Sequence, residues 1–160
     1  MADHSLVLLC DEVRSRTLSL LHGVDDAAAR WAPPGLHNSL LWHGGHCYIL
    51  AEWLALAALG YEPRAPLGWF ELFSWNSRPQ RVPHDAWPPL GDVYRELSAQ
   101  HARLRAALAG ASEEELSRVP AQRTAAGRPA RYYVVHALHD EACHSGEMWL
   151  LRKMRARDSG

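Results

Sequence analysis

Four stretches of this chain repeat apolar residues at spacings of three and four, and no stretch alternates apolar with polar side chains for the length of a strand. A repeat near 3.6 buries one stripe of a helix, whereas a repeat of two buries one face of a strand. The pattern therefore restricts the chain to helices packed on helices. We expect an all-α four-helix bundle with essentially no sheet.

The first helix is expected over Ser5 to His22, with Leu6, Leu9, Cys10, Val13, Thr17, Leu20 and Leu21 on one face and Gly23 ending it. Asp25 is placed to open a short helical turn that closes at the Trp31–Gly35 run. The second helix is expected to start after Asn38 as N-cap and to stop at Gly60. Its inner face reads Trp42, His46, Ile49, Leu50, Trp53 and Ala57. Gly44 and Gly45 lie inside it, each costing about 1 kcal/mol relative to alanine. Such a pair points to close approach by a neighbour, or to room beside His43 and His46.

The third helix is expected over Gly91 to Leu108. A short helix follows, opened by Ser112 and the acidic Glu113–Glu115. The fourth runs from Pro129 to about Arg155, and the polar tail from Arg152 to Gly160 is expected to fray. Between the second and third helices, residues 61–90 form a long, Pro-rich connection carrying Trp69, Phe70, Phe73, Trp75 and Trp87. Connections of this length usually have a function. Its aromatics are expected to cap the bundle; the alternative is a wall of a substrate pocket.

At 160 residues the chain is expected to form a single domain over 1–160. Lys and Arg total 17 against 18 Asp and Glu, so no bulk charge draws it to nucleic acid or to an anionic membrane. No apolar run approaches the roughly 20 residues of a membrane span, and the first residues do not read as a signal peptide. Three cysteines in helical patterns suggest a reduced, cytoplasmic setting rather than a disulfide framework.

Chemistry concentrates in the fourth helix. His136, Asp140 and His144 are spaced i, i+4, i+8, and Glu147 follows on the same stripe. This stripe is expected to face into the bundle, where it is costly unless paired or bound to an ion. Asp140 with His144, or His136 with Asp140, could converge on one metal, and His46 is the donor from the second helix. Three protein ligands leave positions open, as catalytic sites do. Nitrogen with carboxylate suits zinc, nickel, iron or manganese. His43 could face the same cavity from the rim. Glu147 is read as a supporting group or a partner of Arg152. Arg128 and Arg131, near the start of this helix, mark an anion site or a salt bridge. Trp42, Trp53 and Trp149 are expected in the core, and His4, His22, His37, His84 and His101 read as ordinary surface or loop residues.

The run Leu41-Trp42-His43-Gly44-Gly45-His46, with His144-Ser145-Gly146-Glu147 followed by Leu150-Leu151-Arg152, resembles the DinB superfamily. The resemblance extends over most of the chain. It implies a four-helix bundle with one long crossover, a homodimer, and a metal held by one histidine of the second helix and two of the fourth. His46 and His144 match. Asp140 stands where the family usually has the third histidine, and a carboxylate can still ligate. The resemblance further implies a metal-dependent enzyme acting on an unidentified small molecule, with thiol-dependent transfer as the most specific class. The ion would serve as a Lewis acid. The competing readings are a non-catalytic metal- or ligand-binding bundle used in stress response, and a degenerate member without metal.

Overall fold

A computed structural model describes residues 3–158, apart from the side chains at positions 124 and 125. Among the described residues there is no strand. Helix α1 spans His4–Leu21 and short α2 spans Asp26–Arg30. Helix α3 spans Leu40–Leu50 and continues as a π-helical stretch, Ala51–Leu56. Short α4 covers Trp69–Phe73, α5 Leu90–Gly110, α6 Glu113–Ser117, and α7 Ala130–Asp158. The four long helices form the bundle: α1 packs on α5 and α7, and α3 packs on α7 and α5.

The boundaries follow from local chemistry. Ser39, one residue after the expected cap, accepts a hydrogen bond from Trp42 N and opens α3. Asp25 caps α2 by accepting from Ala28 N. Ser112 and Glu115 form a reciprocal capping box on α6. Gly60 adopts φ +91°, the left-handed conformation that ends a helix at no side-chain cost. The expected fraying from Arg152 does not occur within the described residues. Helix α7 continues to Asp158, and Arg152 donates to the carbonyls of Ser19 and Leu20.

The glycine pair in α3 is explained by packing. A Cβ at Gly45 would collide with the ring of Phe73, and one at Gly44 would lie 3.1 Å from Leu21 Cδ1. Phe73 belongs to α4, inside the aromatic connection. Trp69 and Phe73 are buried there, while Trp75 remains half exposed. The connection therefore does cap the core, and it does so by pressing a phenylalanine onto helical backbone.

The face that α7 turns inward differs from expectation. It buries Val134, Ala137, Leu138, Glu141, Ser145, Met148 and Leu151. The stripe of His136, Asp140, His144 and Glu147 runs along the rim instead. Side-chain exposure is 44% at His136 and 58% at Glu147, but only 19% at His144. The rim position leaves water available to these polar groups, which removes most of the desolvation cost of an interior site. Trp149, expected in the core, is 45% exposed and lies under Lys153.

Glu141 lies on that inward face. It receives two hydrogen bonds from Arg14 of α1, at 2.7 and 2.9 Å, with both residues 1% exposed. Arg14 also donates to Leu97 O and to Gln100 Oε1. Gln100 in turn donates to Tyr48 O and to Glu52, which lies in the π-helical stretch and also pairs with Arg103. A buried ion pair survives only when its remaining donors and acceptors are satisfied in this way. Arg131 resolves into a salt bridge with Asp3 and Glu113. His101, read as an ordinary histidine, bonds Asp11 at 2.8 Å.

Candidate metal centre

Three ligand atoms from two helices converge at the rim between α3 and α7. His43 Nδ1 and His144 Nδ1 lie 3.0 Å apart. Glu147 Oε2 is 2.9 Å from His144 Nδ1 and 3.3 Å from His43 Nδ1. Among the described residues, His43, His144 and Glu147 form the group close enough to share one ion.

Hydrogen bonds within the triangle do not pair a donor with an acceptor along every edge. Each corner either donates or accepts, so whatever the protonation, one edge joins two like groups. A cation satisfies all three corners at once. Donors at about 2.0–2.1 Å from a tetrahedral zinc-like ion stand about 3.3–3.4 Å apart, a few tenths of an ångström beyond two of the edges observed and level with the third. Two nitrogens and a carboxylate oxygen thus fit a divalent metal by chemistry and by spacing.

The electrostatics support ligand function. Burial, helped by neighbouring His144 and His46, pushes the pKa of His43 down to about 3. Burial also lowers His46 to about 4, against the opposing influence of its bond to Phe73 O. Both rings are therefore neutral near pH 7, the state a metal requires. Burial raises the thiols of Cys10, to about 11, and of Cys47, so neither offers a thiolate.

His46 stands beside this triangle, its ring 4.7 Å from that of His144 and nearly perpendicular to it. Its Nδ1 donates to Phe73 O at 2.6 Å, which fixes the tautomer and leaves the Nε2 lone pair free. Trp42 stacks on the His46 ring at 4.6 Å and donates through Nε1 to Ser77 Oγ. The aromatic connection therefore holds His46 from two sides, through Phe73 and Ser77.

Asp140 lies one turn before His144 and contacts His136 at 3.4 Å and His139 at 3.6 Å. Its charge bears on His46, but it stands outside the triangle. His136 stacks on Tyr132. The structure thus joins His144 with His43 and Glu147, which the sequence pattern placed in supporting roles. The signal for His43 was its position one turn before His46. Glu147 pairs with the histidines and not with Arg152.

A cavity of about 360 Å³ opens directly beside His43 and Glu147. A second, of about 230 Å³, lies under Trp31 and Arg152, away from the histidines.

An all-helical bundle with one long crossover between its second and third long helices is the arrangement expected above of one family. The sequence profile of the DinB superfamily matches residues 9–148. The chain belongs to the DinB superfamily. It is also similar to the crystal structure of a conserved protein from Enterococcus faecalis, with a TM-score of 0.74 over 96% of each chain. At 20% identity that likeness speaks to the fold alone. No curated protein matches the sequence. No helix among the described residues is long and apolar enough to cross a membrane.

Proposed function

We propose that this protein is a metal-dependent enzyme of the DinB type, holding one divalent cation at the rim between α3 and α7. The observation that carries this reading is the convergence of His43, His144 and Glu147 into a triangle of ligand atoms close enough to share one ion. His144, His43 and Glu147 are its holders. His46 and Asp140, which the sequence pattern assigns beside His144, are the further donors within a turn. When bound, such an ion supplies Lewis acidity toward a small ligand. The protein's own part is to keep His43 and His46 neutral by burial, to fix His46 through Phe73 O, and to leave the centre open to the adjoining cavity. Thiol-dependent transfer is the class of reaction we infer, and family membership is its support.

Titration with cobalt(II), read by its visible absorption, tests this. Saturation at one equivalent is expected. The band should be lost in His144→Ala and altered in His43→Ala and Glu147→Gln. Changes in His46→Ala and Asp140→Asn with none in His43→Ala would move the ligand set to the residues of the sequence pattern. No absorption band in the wild type would end the metal reading.

A further inference from the structure

The cavity beside the triangle is walled by Leu36, Leu150, Leu151 and Met154, with His37 and Asn38 on its loop side and His43 and Glu147 at the end against the triangle. Its outer wall is the loop after Pro33 and Pro34. That loop is fixed by a Leu36 N to Pro33 O hydrogen bond and by Gly35 at φ +86°. Leu36 and Leu150 are 55% and 51% exposed, so two large aliphatic side chains stand in water on either side of one concave space. Ligand pockets have this composition, mostly apolar with a few convergent polar groups. Met154 adds a flexible, polarizable wall that adapts to different shapes.

We propose that this cavity is the binding site for the apolar body of a small amphiphilic ligand whose metal-coordinating head sits at His43 and Glu147. The proposal rests on the reading that the triangle holds a cation. A small molecule is the occupant because the space is concave and ends at the centre. Its volume of about 360 Å³ is roughly a dozen water-sized groups at about 30 Å³ each. The arginines Arg152 and Arg155 line the other cavity. Among the described residues no arginine or lysine lines the cavity beside the triangle, so selection here acts on apolar length and not on negative charge.

Calorimetric titration of the zinc-loaded full chain with acetohydroxamate, hexanohydroxamate and octanohydroxamate tests it. Affinity is expected to rise by about fourfold per added methylene until the cavity is filled, the equivalent of about 0.8 kcal/mol for each buried methylene. Leu36→Ser and Leu150→Ser, both at exposed positions, should flatten that gradient, and Leu8→Ser on the exposed face of α1 should keep it. If acetohydroxamate binds but longer chains gain nothing, the cavity proposal fails while the metal centre stands. A gradient that persists in both cavity variants places the apolar body elsewhere and also overturns it. Absence of zinc-dependent binding at every chain length defeats the centre itself, and the proposal with it.

Discussion

His43 and His144 face each other Nδ1 to Nδ1 at 3.0 Å, a separation that two imidazoles hold when one nitrogen carries a proton and the other does not, or when both are unprotonated and share a cation. Adding protons to both rings turns this contact repulsive. Burial already holds His43 near a pKa of about 3 and His46 near about 4, against an ordinary 6.5. Below pH 6.5 the unfolded chain therefore binds more protons than the folded one, and stability falls with pH. The loss begins near 6.5 and continues through about 4 to about 3; above 6.5 these groups contribute no slope. Urea unfolding of the metal-free protein at pH 7.5 and pH 5.5 should show lower stability at the more acidic value. His43→Asn should reduce the difference.

A ligand that binds only the folded state stabilises it. Metal at 100 times its dissociation constant adds about 2.7 kcal/mol, which raises the melting temperature of a chain of this size by about 5–10 °C. Calorimetry in zinc against EDTA reads this directly. The same chelator should leave the melting temperature of His144→Ala unchanged.

Gly45 and Gly44 separate backbone propensity from packing. Alanine at either gains about 1 kcal/mol of helix propensity. At Gly45 the new methyl drives into Phe73, and overpacking of a tight core costs about 1–3 kcal/mol. Since Phe73 O holds His46 Nδ1, Gly45→Ala should both lower stability and weaken metal affinity. At Gly44 the nearest atoms are methyls of Leu21 and Val93, at 3.1 and 3.3 Å. A small shift relieves them, and Gly44→Ala should stay within about 1 kcal/mol of wild type. Equal losses for the two variants would contradict this account.

Removing one member of a buried ion pair leaves the other uncompensated. Arg14→Met should cost about 3–5 kcal/mol in urea unfolding, and Arg14→Met combined with Glu141→Met should recover most of it. A double variant as unstable as the single would mean that the wider network, through Gln100 and Glu52, supplies the stability.

The same ion pair explains how far the sequence could be read. The long helices, the short capped helix after Ser112 and the glycine stop at Gly60 were legible because each depends on local chemistry. The inward face of α7 was not. Glu141 and Ser145 lie in the true core stripe, and the reading that took the neighbouring row of histidines and carboxylates as the inward face left them out. Only the distant Arg14 makes Glu141 an interior residue. Selecting the neighbouring stripe brought His136, Asp140, His144 and Glu147 together correctly as a row, but pointed the row inward. The role of His43 was hidden for a related reason. Its ring meets His144 because of how α3 is rotated against α7, and Phe73 pressing on Gly45 helps set that contact. His46 was legible as a site residue, but its carbonyl partner lies in the aromatic connection, where no periodicity announces it.

The central claim is that α3 and α7 hold one divalent cation through His43, His144 and Glu147. Elemental analysis of the tag-free protein, with His43→Ala, His144→Ala and Asp140→His beside it, tests that most directly. The account predicts close to one metal per chain in the wild type, loss in His144→Ala, marked reduction in His43→Ala, and retention in Asp140→His. A wild type without metal, with uptake only in Asp140→His, would contradict it and show a family scaffold whose centre has lost its ion.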